Sequence, residues 1–177
     1  AQSYLDEAFF VFNGDIFTDL DLSAMARFHQ EKKALATIAL TPVEDPSAYG
    51  VVETDDMGRV RRFVEKPRRE EATSNMINAG TYVLSPDALR YIPSDAHFMF
   101  EHHLFPLLLE RGELLYSYPS RGYWIDMGTP EKYLQLHRDL LAGKSTRINL
   151  NDVKRGKAFI DPAASINGPV MIGEGCA

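Results

Sequence analysis

Residues 8–15 read AFFVFNGD, with five apolar residues, Ala8 to Phe12, running directly into the polar turn Asn13-Gly14-Asp15. A short unbroken apolar run that stops at turn residues has the pattern of a buried strand, and it leaves Asp15 at the strand's carboxyl end. Downstream, Asp21 or Ser23 can cap a helix reaching about Lys33, with Leu22, Met25 and Phe28 or His29 at helical spacing. A strand follows at Ala36 to Leu40. Tyr49 to Glu53 and Val60 to Val64, joined through Asp55-Asp56-Met57-Gly58, make a hairpin that Pro67 should end.

After the polar stretch 68–76, RREEATSNM, a strand is expected at Ile77 to Leu84 and a short helix from Ser85-Pro86. Phe100 to Arg111 reads as an apolar helix, kinked or freshly started at Pro106 and stopped by Gly112. Strands near Leu114 to Tyr118 and Tyr123 to Ile125 precede a helix opened by Thr129-Pro130 and closed by Gly143. Strands alternating with helices predict an α/β sandwich.

The chain has 177 residues, 45% hydrophobic and 25% charged, enough for one main core. A net charge of -6 with mixed signs offers no broad basic surface for nucleic acid or an anionic membrane. One cysteine, Cys176, excludes an internal disulfide framework. With no long apolar run and no signal-like start at Ala1 to Glu7, the chain is read as cytoplasmic.

From residue 158 the pattern changes. Ile160, Ile166 and Ile172 recur every six residues, and Ala164, Val170 and Cys176 follow each by four. This is a hexapeptide repeat, in which each unit supplies one short strand of a triangular parallel β-helix with both positions turned inward. Three units make about one coil, which cannot bury its own core, so the repeat is expected to continue beyond Ala177. The unfinished coil and the apolar helix at Phe100 to Leu109 both predict surface that self-association would cover.

Asp15 and Asp126 each follow an apolar strand, where open α/β sheets bind ligands, and two carboxylates suit Mg²⁺. Each acid alone is equally explained as a turn or helix cap. Lys66, fixed by Pro67 at a strand end, suits a phosphate monoester, and Glu65 could accept hydrogen bonds from sugar hydroxyls. Both would also pass as a solvated pair at a hairpin end. Gly50 and Gly80 allow close backbone approach or mark bulges, and Asn78 offers a short amide. His97, His102 and His103 lack the spacing of a metal site, and Tyr116, Tyr118, Tyr123 and Trp124 are read as packing residues. Neither a nucleophile elbow nor a glycine-rich phosphate loop is present.

Taken together, FNGD, YGVVE, FVEKP, NAGTYVL and WIDMGTPEKYLQLH, in this order over residues 8–142, resemble the sugar-1-phosphate nucleotidyltransferases. That family includes mannose-1-phosphate guanylyltransferases and glucose-1-phosphate thymidylyl- and adenylyltransferases. The resemblance implies a partial Rossmann-like, mixed-sheet α/β/α sandwich at residues 1–145, a linker at 146–157, and the first coil of a left-handed parallel β-helix at 158–177. It also implies that Asp15 and Asp126 bind the catalytic Mg²⁺, that Lys66 holds the sugar phosphate, and that Gly50, Glu65, Asn78, Gly80 and Trp124 line the sugar site. The implied substrates are a nucleoside triphosphate and a sugar 1-phosphate, with GTP and mannose 1-phosphate first and dTTP or ATP with glucose 1-phosphate next. A homo-oligomer is expected of the full-length parent.

The family's glycine-rich triphosphate loop precedes the FNGD strand, and nothing before Ala8 supplies it. The expectation is that this part lies outside the chain and that the 177 residues alone have no turnover. Two alternatives stand beside the enzyme. A non-catalytic regulatory subunit is opposed by the presence of both aspartates, and a hexapeptide acyltransferase by the lack of a histidine in residues 158–177.

Overall fold

The computed structural model describes residues 4–148, 158–167 and 170–176. The chain divides into two compact units, one of residues 1–16 and 20–121, the other of residues 17–19 and 122–177.

In the first unit, β6 (Met76–Leu84) is the central strand. One of its edges pairs antiparallel with β3 (Ala36–Pro42), and the other carries both β4 (Gly50–Thr54), through Val51 and Ile77, and β1 (Phe9–Phe12), through residues 81–84. The hairpin partner β5 (Val60–Glu65) lies beyond β4, and β7 (Leu115–Pro119) runs parallel to β3. A mixed sheet results, as the resemblance implies. Its hairpin turn is made by Asp55, whose carboxylate accepts the Met57 and Arg59 N–H groups, and by Gly58 at φ 77°.

Alternation along the strands sorts side chains onto two faces. Ile38, Leu40, Tyr82, Leu84 and Leu115 point to one face, where they pack against Leu104, Phe105 and Leu108. All three of those helix residues are 0% exposed. The apolar segment predicted to leave a surface uncovered is therefore core, and burying a side chain such as Phe105 is worth about 1.5–3 kcal/mol. Nor is it one kinked helix: a π-helical turn, Phe100–Leu104, leads into α2 (Phe105–Glu110), with Pro106 in the first turn, where its missing N–H costs nothing.

On the other face lies α1 (Leu22–Lys32), capped by the Asp21 carboxylate accepting the Ala24 N–H. Phe28 meets Tyr116 and Tyr118 edge-on, the packing role expected of those tyrosines. His29 is buried between Thr37 and Ser85. Because the Ser85 hydroxyl donates to the Ala34 carbonyl, its oxygen accepts from His29 Nε2, which leaves Nδ1 to accept from Thr37. Ser85 was expected to cap the next helix. Its hydroxyl is engaged here instead, and Pro86–Tyr91 forms a 3-10 turn with no side-chain cap.

One further expectation changes, that of β1. β1 is a half-buried strand rather than a fully buried one, and Phe12 is 52% exposed, because within this unit β1 hydrogen-bonds only to β6. Gly80 sits where the β3–β6 register slips, at φ 69°, and the Asn13 N–H donates to its carbonyl.

In the second unit, β2 (Ile16–Thr18, with Ile16 counted in the first) pairs with β8 (Trp124–Asp126). α3 (Pro130–Leu141) follows, with Thr129 capping the Lys132 N–H and Gly143 at φ 72° after it. Asp19 is buried, and its carboxylate accepts from the Ser145 hydroxyl and from the Thr146 N–H and hydroxyl. Burial pushes its carboxyl up, but these hydrogen bonds outweigh it and hold it below the usual range.

The hexapeptide segment has no strand among the described residues 158–167 and 170–176, and Ile160 and Ile166 are 48% and 47% exposed rather than turned into a core. A single turn has no neighbouring coil to pair with or pack on. Most of the expected linker, residues 149–157, and residues 168–169 lie outside the described residues.

Two consequences can be measured. Burial holds the His29 pKa below its ordinary 6.5, so below that pH the unfolded chain takes up a proton that the folded chain resists. Urea midpoints are expected to fall as pH drops below 6.5, and His29→Gln should flatten the curve in that window. Gly80→Ala should cost about 1–2 kcal/mol from the left-handed backbone alone. Its added Cβ would also lie 2.9 Å from Ile16 Cγ1 and 3.0 Å from Asn13 Nδ2, and the loss can be read from the same denaturation curves.

Candidate functional site

Six of the eight residues singled out in the sequence, Asp15, Gly50, Glu65, Lys66, Asn78 and Gly80, belong to the first unit. Trp124 and Asp126 belong to the second.

The hairpin β4–β5 brings Gly50 opposite Glu65. A Cβ on Gly50 would lie 2.7 Å from Glu65 Oε2 and 2.7 Å from the Phe63 ring, so only glycine leaves the carboxylate where it is. Gly50 is thus not a bulge but a regular strand residue in close contact with the Glu65 side chain. Burial, and then the nearby Glu101 charge, push the Glu65 carboxyl up, while Lys66 and His102 pull it down.

Lys66 leaves β5 with φ 46°, a left-handed backbone in a residue that is not glycine. Its N–H donates to the Tyr49 carbonyl, and the buried Pro67 follows, so both sides of the strained residue are held. Its ammonium is exposed, 4.0 Å from Glu65 Oε1. Strain of this kind at an exposed cation points to a functional position.

Asn78 is engaged within the protein. Its side-chain oxygen accepts the Gly80 N–H, and its amide nitrogen donates to the Tyr82 hydroxyl at 2.8 Å and to Glu101 Oε1 at 3.3 Å. The Tyr82 hydroxyl donates to the same Glu101 oxygen at 2.8 Å. Burial first, and then the Glu101 charge, raise the Tyr82 pKa far above its ordinary value, so the phenol stays protonated. Asn13 also hydrogen-bonds the Tyr82 hydroxyl.

Glu101 and Tyr82 were missed in the sequence. Tyr82 reads as one more core aromatic of a strand, and Glu101 as a charge on a helix surface. Only the π-helical turn at Phe100–Leu104 brings that carboxylate to Tyr82 and Asn78. Such turns occur often at functional sites.

Asp15 lies exposed in the turn between β1 and β2, and among the described residues its carboxylate has no hydrogen bond. Asp126 accepts the Gly128 N–H at 2.8 Å through Oδ1, the turn-capping role weighed in the sequence, and its Oδ2 is 3.4 Å from Lys132 Nζ. Trp124 is half-buried in β8. The three histidines form no metal cluster: His103 stacks on Phe98 and accepts the Met99 N–H, and among the described residues no group of three metal-ligating side chains is assembled. No helix among the described residues is long and apolar enough to cross a membrane.

A UTP–glucose-1-phosphate uridylyltransferase of Synechocystis sp. is 39% identical over 96% of the chain and 46% of its own length. A mannose-1-phosphate guanylyltransferase of Mycobacterium tuberculosis is 37% identical over 92% of the chain and 45% of its own length. The chain therefore spans about half the length of the curated relatives it matches. Among solved structures, a putative glucose-1-phosphate thymidylyltransferase from Bacillus anthracis shares the fold with a TM-score of 0.67 at 22% identity, over 88% of this chain and 60% of that one. HddC from Yersinia pseudotuberculosis aligns with a TM-score of 0.63 at 29% identity, over 76% of this chain and 56% of that one. Residues 1–143 match the family described as nucleotidyl transferase, and the chain belongs to it.

Proposed function

We propose that this chain carries the sugar-phosphate site of a sugar-1-phosphate nucleotidyltransferase, which makes an NDP-sugar and pyrophosphate from a nucleoside triphosphate and a sugar 1-phosphate. The observation that carries the reading is the strained, exposed Lys66 beside Glu65, with Gly50 opposite and free of any side chain. A cation next to a hydroxyl-binding carboxylate suits a ligand that is phosphate at one end and polyol at the other. GTP with mannose 1-phosphate is the first choice, then dTTP or ATP with glucose 1-phosphate. The relatives named for guanylyl and uridylyl transfer support the class.

In this reading a phosphate oxygen of the sugar 1-phosphate attacks the α-phosphorus of the triphosphate. The new P–O bond forms as the bond from that phosphorus to the bridging oxygen breaks, and pyrophosphate leaves. No covalent enzyme intermediate is needed. Lys66 holds the sugar phosphate and lowers the repulsion between two anions that must approach, while Glu65 and the bare edge at Gly50 orient the sugar. Asp15 and Asp126 are the residues that would hold Mg²⁺, and their chemistry fits. Both offer hard carboxylate oxygens, Asp15 is open to solvent, and Asp126 Oδ2 has only a long ion pair to Lys132 to give up. Bound there, the ion would neutralise charge growing on the phosphates. Trp124, two residues before Asp126 in the sequence, is assigned to the sugar site.

We also assign residues 1–145 to the catalytic fold, 146–157 to a linker and 158–177 to the first coil of a left-handed β-helix. The six-residue period of isoleucine supports the coil, as does the Phe159 N–H donating to the Cys176 carbonyl, which closes the segment on itself. Its exposed Phe159, Ile160, Ile166 and Val170 suit coverage by further coils or by a second subunit.

Pyrophosphate release from GTP and mannose 1-phosphate by the full-length parent, carrying each substitution in turn, is the assay. Asp126→Asn is expected to abolish Mg²⁺-dependent turnover with the fold unchanged by circular dichroism, and an undiminished rate would remove Asp126 from the metal site. Lys66→Ala should raise the KM for sugar phosphate by about tenfold or more while moving that for the triphosphate little. An effect confined to the triphosphate would reassign the lysine.

A further inference from the structure

The bare side of Gly80 is filled by the protein itself. A Cβ there would lie 2.9 Å from Ile16 Cγ1, 3.0 Å from Asn13 Nδ2 and 3.1 Å from Asn13 Cβ, so both ends of the turn 13–16 rest on this one glycine. The Asn13 N–H donates to the Gly80 carbonyl at 2.8 Å, and the Asn13 side-chain amide reaches on to the Tyr82 hydroxyl, two residues along β6. That hydroxyl has one proton and two lone pairs, and all three are used. Its proton goes to Glu101 Oε1 at 2.8 Å, and its oxygen accepts from Asn78 Nδ2 at 2.8 Å and from Asn13. Because an ionised carboxylate accepts hydrogen bonds and donates none, Glu101 fixes the phenol proton on its own side and turns the lone pairs toward the two amides. At the apex of the turn so held, a Cβ on Gly14 would meet nothing within 4 Å, and the exposed Asp15 carboxylate has no hydrogen bond among the described residues. The direction of Asp15 is therefore set by the anchors on either side of it, Asn13 and Ile16, and not by partners of its own.

Resting on the reading in which Asp15 holds Mg²⁺, we infer that Asn13 and Tyr82 are positioning residues for that carboxylate: the Tyr82 hydroxyl holds the Asn13 amide over Gly80, and through them the turn that presents Asp15 is fixed to the central strand. A carboxylate carried in a loose exposed turn has to be ordered at the moment the ion binds, and prior anchoring removes that cost. Gly80 is then the seat of the turn, not a contact for the sugar, and its lack of a side chain is what lets Asn13 and Ile16 lie against β6. The same hydroxyl holds Asn78, so one buried group sets the Asp15 turn and the Asn78 end of β6 together. Removing the Asn13 amide alone breaks the link to the turn and leaves Asn78, Tyr82 and Glu101 joined.

Two readouts on the full-length parent test this, one of them free of metal and substrate. In the metal-free protein, amide hydrogen exchange across residues 13–16 is expected to quicken about fivefold in Asn13→Ala and in Tyr82→Phe, the latter keeping its ring against Phe100 and Phe105. In the pyrophosphate-release assay, the Mg²⁺ concentration giving half-maximal rate is expected to rise about fivefold in both variants. Asn13→Ala should move the KM for sugar phosphate by less than about twofold, because the Asn78 contacts persist. Unchanged exchange, or an unchanged Mg²⁺ requirement, in Asn13→Ala would overturn the inference. So would a sugar-phosphate KM that rises as far as the Mg²⁺ requirement, since that is a general loosening of the fold. Asp15→Asn separates the inference from the reading beneath it. A Mg²⁺ requirement unmoved by that substitution would remove Asp15 from the metal site and the inference with it, whereas a raised one, with Asn13→Ala unchanged, would keep Asp15 there and overturn the inference alone. Asn13 is exposed, so Asn13→Ala decides the matter should Tyr82→Phe not fold.

Discussion

Tyr82 couples the core of the first unit to the polar cluster of Asn78 and Glu101. Its ring packs edge-on and tilted against Phe100 and Phe105, while its hydroxyl bonds Asn78 and Glu101. Burial and the Glu101 charge hold this phenol in its protonated form, and leaving it unpaired would cost about 1–3 kcal/mol. The packing of α2 and the polar pattern of the pocket are therefore one constraint. The central strand β6 has to place Tyr82, Asn78 and Gly80 in a fixed relation, and the slip in register at Gly80 is how it does so.

The same economy appears at Lys66 and Gly50. One strand supplies a residue with too little side chain to obstruct, and its hairpin partner supplies the carboxylate and the cation. The left-handed backbone at Lys66 costs energy that the hairpin and the buried Pro67 offset, and it leaves an exposed ammonium 4.0 Å from Glu65 Oε1. Sites on rigid strands hold such geometry better than sites on loops. Asp15 is the exception, carried in an exposed turn.

Much of the scaffold was legible because local signals agreed. Asp21 and Thr129 cap the helices they were expected to cap, the β4–β5 hairpin turns at Asp55–Gly58, and Pro106 begins α2. What the sequence hid was set by distant partners. Ser85 looked like a cap until His29 and Ala34 claimed its hydroxyl. The apolar face of Phe100 to Leu109 looked exposed because nothing local reveals that the sheet covers it. The repeat at residues 158–177 showed its period but not its packing, since a repeat buries its core against neighbours. Around the candidate site, Gly50, Glu65 and Lys66 drew attention because strand ends and glycines signal themselves, whereas the contacts of Glu101 depend on a helical turn of unusual pitch.

That turn carries a consequence for how such a pocket can diverge. In the π-helical turn Phe100–Leu104 the chain holds one residue more than an α-helical path would need. Deleting one residue there would restore ordinary winding, and everything upstream would swing by about 100° about the helix axis. Glu101 would leave the pocket while Leu104, Phe105 and Leu108 kept their places in the core. A single-codon deletion would thus move both Phe100, which packs on the Tyr82 ring, and Glu101, which accepts from its hydroxyl, so this polar cluster is written in the length of the segment as well as in its side chains.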